Sequence, residues 1–327
     1  MHKVYVVGGK YSTVGDALIF MVQERIIAAK GYCFVSNIKE ASLVIIGGGG
    51  TLYSRERDND QTFKDKKYDF PLGDLLVCRE KGIPIVVCGA GWQEFQGTDN
   101  LAAWIEILRY ANYISVRDQA SKEELLKLLK RDIDVFPDVA FAKEIPVLTS
   151  PTLPDTIAVS IGKGIDDTRR EHISKLLEGL SSKYTFRWMP FDLDEHVEYK
   201  RYWIPKFGGT LAIDERWEGK FIPNTSACFG TIQACRGVIS TRLHALIMSI
   251  LANRPILHLS KHNWKVEAQV RDIFKGKGYR YLINTHDNAA ENLKKAFECF
   301  EDKEVIETFK KIQLENRLLA RKHFDHL

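Results

Sequence analysis

Apolar residues along this chain fall into two alternating rhythms. Short continuous runs rich in valine and isoleucine (Val4–Val7, Leu43–Ile46, Ile83–Cys88, Tyr113–Val116) read as buried strands. Between them apolar residues recur at helical spacing, which predicts helices over about Gly15–Ala29, Leu72–Lys81, Asn100–Tyr110 and Ser121–Leu129. Tyr32–Ser36 and the short Val135–Phe136 complete the strands of the first half. Residues 144–156 hold three prolines and little periodicity, so a linker is expected there. The alternation then restarts. Strands are predicted at Ile157–Ile161, Thr185–Met189, Gly237–Ile239, Ile256–Leu259 and Arg280–Ile283. Helices are predicted at Arg169–Leu180, from Leu243, from about Trp264 and over Ala289–Phe300, with a last, highly charged one over Glu304–His323.

Strands alternating with helices of this length imply parallel sheets covered on both faces. The predicted fold class is therefore α/β, with two Rossmann-like, doubly wound domains facing across a ligand cleft. Their expected extents are 1–146 and 155–300, with residues 301–327 forming a helix that packs across both. No solenoid-type repeat and no low-complexity tract interrupts this plan.

Composition narrows the class. With 327 residues, 45% hydrophobic and 28% charged, the chain resembles a soluble globular protein of about two domains. A net charge of +4 with no dense Lys/Arg run gives no reason to expect nucleic acid. The six cysteines are scattered, without a CxxC pair or metal-type spacing, and are expected to be reduced and mostly buried. The chain begins directly on a strand, and no run approaches the roughly 18 apolar residues of a membrane span. A cytoplasmic location is expected, with the inner face of the membrane as a place of peripheral contact.

Candidate chemistry concentrates in GVISTRLHALIMSILANRPIL, residues 237–257, where a strand turns into an amphipathic helix. Ser240 and Thr241 occupy the expected N-cap, and Arg242 and His244 stand at the mouth of the junction. Unpaired helix amides, an arginine and an imidazole together suit an anionic substrate that needs proton transfers. The plainer alternative makes Arg242 a cap on a neighbouring carbonyl and His244 a satisfied core residue. Three glycine-rich turns follow strands in the first half, VVGGKYSTVGDAL, VIIGGGGTLY and VVCGAGWQ, and suit close backbone approach to a ligand. None has the dinucleotide GxGxxG arrangement or a Walker lysine, so no nucleotide cofactor is expected.

Arg117, at the start of another helix, could reach a cleft or could form a weak surface pair with Asp118. Asp138 lies at a strand end, where loop chemistry explains it as well as function does. Asp192-x-Asp194 resembles the DxD of metal-dependent glycosyltransferases, but so short a string carries little, and no metal is expected. Tyr199–Phe221 is rich in aromatics and reads either as a sugar-stacking or membrane-facing loop or as ordinary core.

Taken in order, these elements resemble the polysaccharide pyruvyl transferase family. The features are Gly15-Asp16, the Gly47–Leu52 crest, Gly89–Gln93, Val116–Ser121, Pro137–Phe141 and Ser240–Ala245 with its downstream Lys265. Where the family often has an aromatic-Asp-x-Lys, this chain reads His262-Asn263-Trp264-Lys265.

The resemblance implies a GT-B-like pair of domains and transfer of pyruvate from phosphoenolpyruvate to two hydroxyls of one sugar. A cyclic ketal would form and phosphate would leave. It also implies catalytic roles for Arg242, His244 and Lys265. Substrate contacts would come from Arg117, Ser240, Thr241, Gly15, Asp16, Gly48, Gly49, Thr51, Gly89 and Gly91. Phosphoenolpyruvate would be a co-substrate, and a sugar or lipid-linked oligosaccharide the acceptor. Two other readings remain open at this stage: a nucleotide-sugar glycosyltransferase of the same architecture, and a non-catalytic glycan-binding protein.

Overall fold

The computed structural model describes residues 2–8, 13–50, 52, 72–92, 99–142, 144, 147, 149–162, 165–212, 224–260, 264–275, 279–284 and 289–327. It forms two compact units. Met1–Lys10, Asp16–Ala142 and Asn316–Leu327 make the first, and Tyr11–Gly15 with Lys143–Glu315 make the second. The chain therefore crosses between units near Gly15 as well as near residue 143, and its last twelve residues return to the first unit.

The first unit contains strands β1 (Lys3–Val7), β2 (Cys33–Phe34), β3 (Leu43–Gly47), β4 (Ile85–Ala90), β5 (Tyr113–Val116) and β6 (Asp134–Val135). Its helices are α1 (Val14–Ala29), α2 (Leu72–Glu80), α3 (Asp99–Tyr110) and α4 (Gln119–Leu129). The strands pair in parallel in the order β2-β1-β3-β4-β5-β6. Such a sheet reverses its winding between β1 and β3, and ligands of doubly wound folds settle at the carboxyl ends of that pair. Gly8 follows β1 there and Gly47–Gly50 close β3. β3 and β4 are buried along their whole length, which explains their near-continuous apolar sequence.

The second unit contains β7 (Leu153–Ser160), β8 (Thr185–Trp188), β9 (Thr210–Leu211), β10 (Cys235–Ser240), β11 (Ile256–Ser260) and β12 (Leu282–Asn284). Around them lie α5 (Asp167–Ser181), α6 (Leu193–Glu198), α7 (Ile204–Phe207), α8 (Thr225–Ala234), α9 (Leu243–Ala252), α10 (Trp264–Ile273), α11 (Ala289–Glu301) and α12 (Lys303–Arg321). The sheet is again parallel, in the order β12-β11-β10-β7-β8-β9. Its winding reverses between β7 and β10, so the strand carrying the Ser240–His244 segment is one of the two that frame the switch point.

Two local expectations change. β7 starts at Leu153, inside the stretch expected to be a linker, because its first residues pair on toward Cys235 past an irregularity in register. The Tyr199–Phe221 region is in part ordinary core. Tyr199 and Trp203 are fully buried in a π-helical turn and pack on Trp188 with ring centres 5.4 and 5.9 Å away. Trp203 also stacks on Phe207, and the Trp188 indole N–H donates to Gly208 O at 2.8 Å. Residues 213–223 lie outside the described residues. Cys78, Cys88, Cys228, Cys235 and Cys299 are buried free thiols. Among the described residues no helix is long and apolar enough to cross a membrane.

Trp188 sits at the centre of this aromatic group with no exposed surface. Trp188→Ala is expected to lower stability by about 3–5 kcal/mol. Urea unfolding would show it as an earlier midpoint, and an unchanged midpoint would remove the indole from the supporting core.

Candidate active site

The site grows from the end of β10. Ser240 lies in register with Ser160 of β7, and the contacts continue past the strands. Thr241 N–H donates to Ser160 O at 3.0 Å, and Thr241 Oγ1 accepts from Gly162 N–H at 2.7 Å. Ser240 Oγ donates to Ser160 O at 2.8 Å and accepts from Arg242 N–H at 2.9 Å. Both hydroxyls thus lock two strand ends together, and both residues are buried. The expected N-cap is corrected accordingly. Arg242, with φ −97° and ψ 129°, takes that position and no side chain caps α9. The strand runs further than its apolar stretch, and nearer backbone partners capture the hydroxyls.

Arg242 reaches α6. Its Nε donates to Glu195 Oε1, and a terminal nitrogen donates to Asp192 Oδ2 at 2.5 Å. The sequence Asp192-Leu-Asp-Glu195 explains why both acids face it. Asp192 caps α6 by accepting from Glu195 N–H at 3.0 Å, and Glu195 Oε2 reaches back to accept from Phe191 N–H at 2.7 Å. The pair resembles a capping box whose return bond falls one residue before the N-cap; it orients both carboxyls and leaves one oxygen of each for the guanidinium. Glu195 is fully buried. Burial lifts its carboxyl from 4.5 to about 7, and the neighbouring Asp192 charge adds to this while Arg242 opposes it.

The same Phe191 peptide anchors the start of α1. Its carbonyl accepts from Val14 N–H at 3.1 Å, and Val14 O accepts from the Thr225 hydroxyl at 3.2 Å. Gly15 is thereby laid against the imidazole of His244. A Cβ at Gly15 would overlap Nδ1 and Cγ of that ring and sit 2.8 Å from its Cβ. His244 is half-buried in the first turn of α9. The 10-residue α9 begins at this point, with its partial positive charge directed there. Gly15, Arg242 and His244 form one cluster, joined by Asp192, Glu195 and Phe191.

A second node belongs to the other unit. The Arg117 side chain is nine-tenths buried, and its NH1 donates to Asp138 Oδ2 at 3.2 Å. Asp118 Oδ2 lies 3.7 Å from Nε while its Oδ1 caps α4 through Ser121 N–H. This is a buried pair, not a surface one, and Asp138 is a charge partner. The guanidinium covers Gly91, where a Cβ would come within 2.7 Å of Nε, and a Cβ on Gly49 would lie 3.2 Å from Asp16 Oδ1.

Other glycines make room for neighbouring side chains. Gly48 and Gly47 admit Ile19 and Gln23 of α1, and Gly89 admits Val139 and His323. His323 is fixed by Ser115 Oγ at 2.8 Å and Pro137 O at 2.9 Å, and burial pushes its pKa down to about 4. Thr51 and the side chain of Lys265 lie outside the described residues.

Sequence reasoning passed over Asp192 and Glu195 as functional neighbours of Arg242. The available signal was the Asp-x-x-Glu capping spacing, not the Asp192-x-Asp194 spacing. Among the described residues no three His, Cys, Asp or Glu side chains gather to hold a metal.

Gly15→Ala is expected to drive the His244 ring off its seat at a cost of about 1–3 kcal/mol. The shift of its imidazole NMR signals reports this, and unmoved signals would separate the two residues. The buried carboxyl gives a second expectation. The folded chain holds the Glu195 proton more tightly than the unfolded chain, so its contribution is complete below 4.5 and lost as pH rises through about 7. Chemical unfolding from pH 4 to 8 should show the wild type losing stability relative to Glu195→Gln across that window. A constant difference would contradict the burial of an unneutralised charge.

The model of the polysaccharide pyruvyl transferase family matches residues 8–263. No curated protein matches the chain. Among solved structures, the fold is similar to a Listeria monocytogenes protein assigned as a UDP-N-acetylglucosamine 2-epimerase. The TM-score is 0.57 at 13% identity, over 100% of this chain and 97% of that one. LpCGTa in complex with UDP gives 0.54 at 10% identity, over 100% and 98%. An O-GlcNAc transferase mutant of Thermobaculum terrenum gives 0.53 at 13% identity, over 99% and 65%. These likenesses show a two-domain Rossmann-like fold. The family match covers most of the chain and includes every residue of the Gly15, Glu195, Arg242 and His244 cluster, and the chain belongs to the polysaccharide pyruvyl transferase family.

Proposed function

We propose that this protein transfers pyruvate from phosphoenolpyruvate to two hydroxyls of one sugar in a cell-surface polysaccharide or its precursor. The product is a cyclic ketal, and phosphate is released. The observation that carries this reading is the seating of His244 on Gly15, two residues from Arg242, at the end of a strand that frames the switch point of the second unit.

The donor carries close to three negative charges at neutral pH. The Arg242 guanidinium offers a planar fork for its carboxylate or phosphate, and the first turn of α9 adds dipolar support. His244 protonates the methylene carbon and accepts protons from the attacking hydroxyls. Two hydroxyl protons are released in all. One ends on the new methyl group and the other on the departing phosphate, so the reaction needs no net acid or base. Attack of the first hydroxyl on C2 makes one C–O bond. Loss of phosphate breaks another, and the second hydroxyl closes the ring. Lys265 is assigned by the family motif as a further cation toward the donor.

His244→Ala is expected to lower kcat by about 10²–10⁴-fold with donor KM nearly unchanged. Arg242→Lys keeps the charge but loses the fork, and should raise donor KM by about 10-fold or more with a smaller effect on kcat. Phosphate release with phosphoenolpyruvate and a glycan acceptor measures both, and mass spectrometry of the acceptor identifies the ketal. The reverse pattern would exchange the two roles. Turnover of a nucleotide sugar without any of phosphoenolpyruvate would overturn the reaction class.

A further inference from the structure

Arg242 is not a free cation awaiting an anion. Two carboxyls already share it, one of them on a fully buried residue. An incoming donor anion would add negative charge to a cluster that already holds two acids and one base. Movement of one of the acids, or loss of its charge, would offset part of that addition.

Asp192 and Glu195 are both tied to the start of α6, but not equally. Asp192 keeps part of its side chain, 12%, in contact with solvent, whereas Glu195 has none. Glu195 is also held by Phe191 N–H, whose carbonyl in turn anchors Val14. Swinging Glu195 out would break the α6 cap and the seat of Gly15 beneath His244. Neutralising it breaks neither, because the carbonyl oxygen of a protonated carboxyl still accepts from Phe191 N–H; the bond that weakens is the one to Arg242.

We propose that Glu195 is a positioning residue that takes up a proton from solvent when the donor anion binds at Arg242. The guanidinium stays oriented by Asp192, while the loss of charge on Glu195 leaves it with enough uncompensated charge to hold the ligand. The inference rests on the reading of phosphoenolpyruvate as donor.

Among the described residues, the groups facing Glu195 are Arg242 at the start of α9, Asp192 on its own helix, Tyr199 in the π-helical turn and Cys228 of α8. Burial holds the Tyr199 hydroxyl well above its ordinary range and pushes the Cys228 thiol up to about 12, so neither supplies or takes the proton near neutrality. Burial likewise moves Glu195 into the range where such an exchange is possible.

The test is calorimetric titration of the full chain with phosphoenolpyruvate at pH 8, in buffers of different ionisation enthalpy. The donor phosphate is already ionised there. The wild type should take up about one more proton per donor bound than Glu195→Gln, which keeps shape and loses the titration. The Gln variant should still bind, and its donor KM should lose the rise with pH that the wild type shows above neutrality. Equal proton uptake by both proteins would overturn the inference while leaving the donor reading standing. Failure of the folded wild type to bind phosphoenolpyruvate would overturn both.

Discussion

The second unit is organised around one buried ion cluster, in which the Arg242 guanidinium is held between Glu195 and Asp192 where β10 ends. Removing one member of such a cluster leaves a charge in a low-dielectric setting and costs more than the cluster contributes when whole. Its value is therefore better sought in geometry than in stability. It ties α6 to the start of α9. Through the Phe191 peptide it also fixes the start of α1, with Gly15 under the His244 ring. An imidazole, a guanidinium and the start of α9 are thereby gathered at one place.

The fold was legible because burial leaves its mark on sequence periodicity. Strands covered on both faces, such as β3 and β4, must be apolar throughout, and the helices between them must carry an apolar stripe. Strand order is another matter. Nothing in the local sequence of β7 states that it pairs with β10, yet that pairing places the Ser240–His244 segment at the switch point. The path of the chain was equally hidden. Val14, next to Gly15, joins the second unit by donating its N–H to Phe191 O and accepting from the Thr225 hydroxyl, partners about 180 and 210 residues away in sequence.

Residues of the site differed in how far their chemistry could be read. Arg242 and His244 stand out because charged and titratable groups at a strand-to-helix junction need an explanation. Ser240 and Thr241 look alike in a sequence whether they cap a helix or bind a neighbouring strand, and here their hydroxyls bind Ser160 at the end of β7 and Gly162 just past it. Glycine is more ambiguous still. Gly15 admits the imidazole and Gly91 admits Arg117, whereas Gly48 and Gly89 admit packing side chains. Glu195 was silent because its role comes from a partner 47 residues away, although the capping spacing that aims it is local.

The central claim is that a small trianionic donor is held by Arg242 with its reactive carbon beside His244. The most direct measurement is a crystal structure of the wild-type chain soaked with phosphoenolpyruvate. The account predicts donor density hydrogen-bonded to the Arg242 guanidinium, with the methylene carbon facing the His244 ring and Glu195 still bound to Phe191 N–H. Donor density elsewhere, with Arg242 still held by both carboxylates, would contradict it.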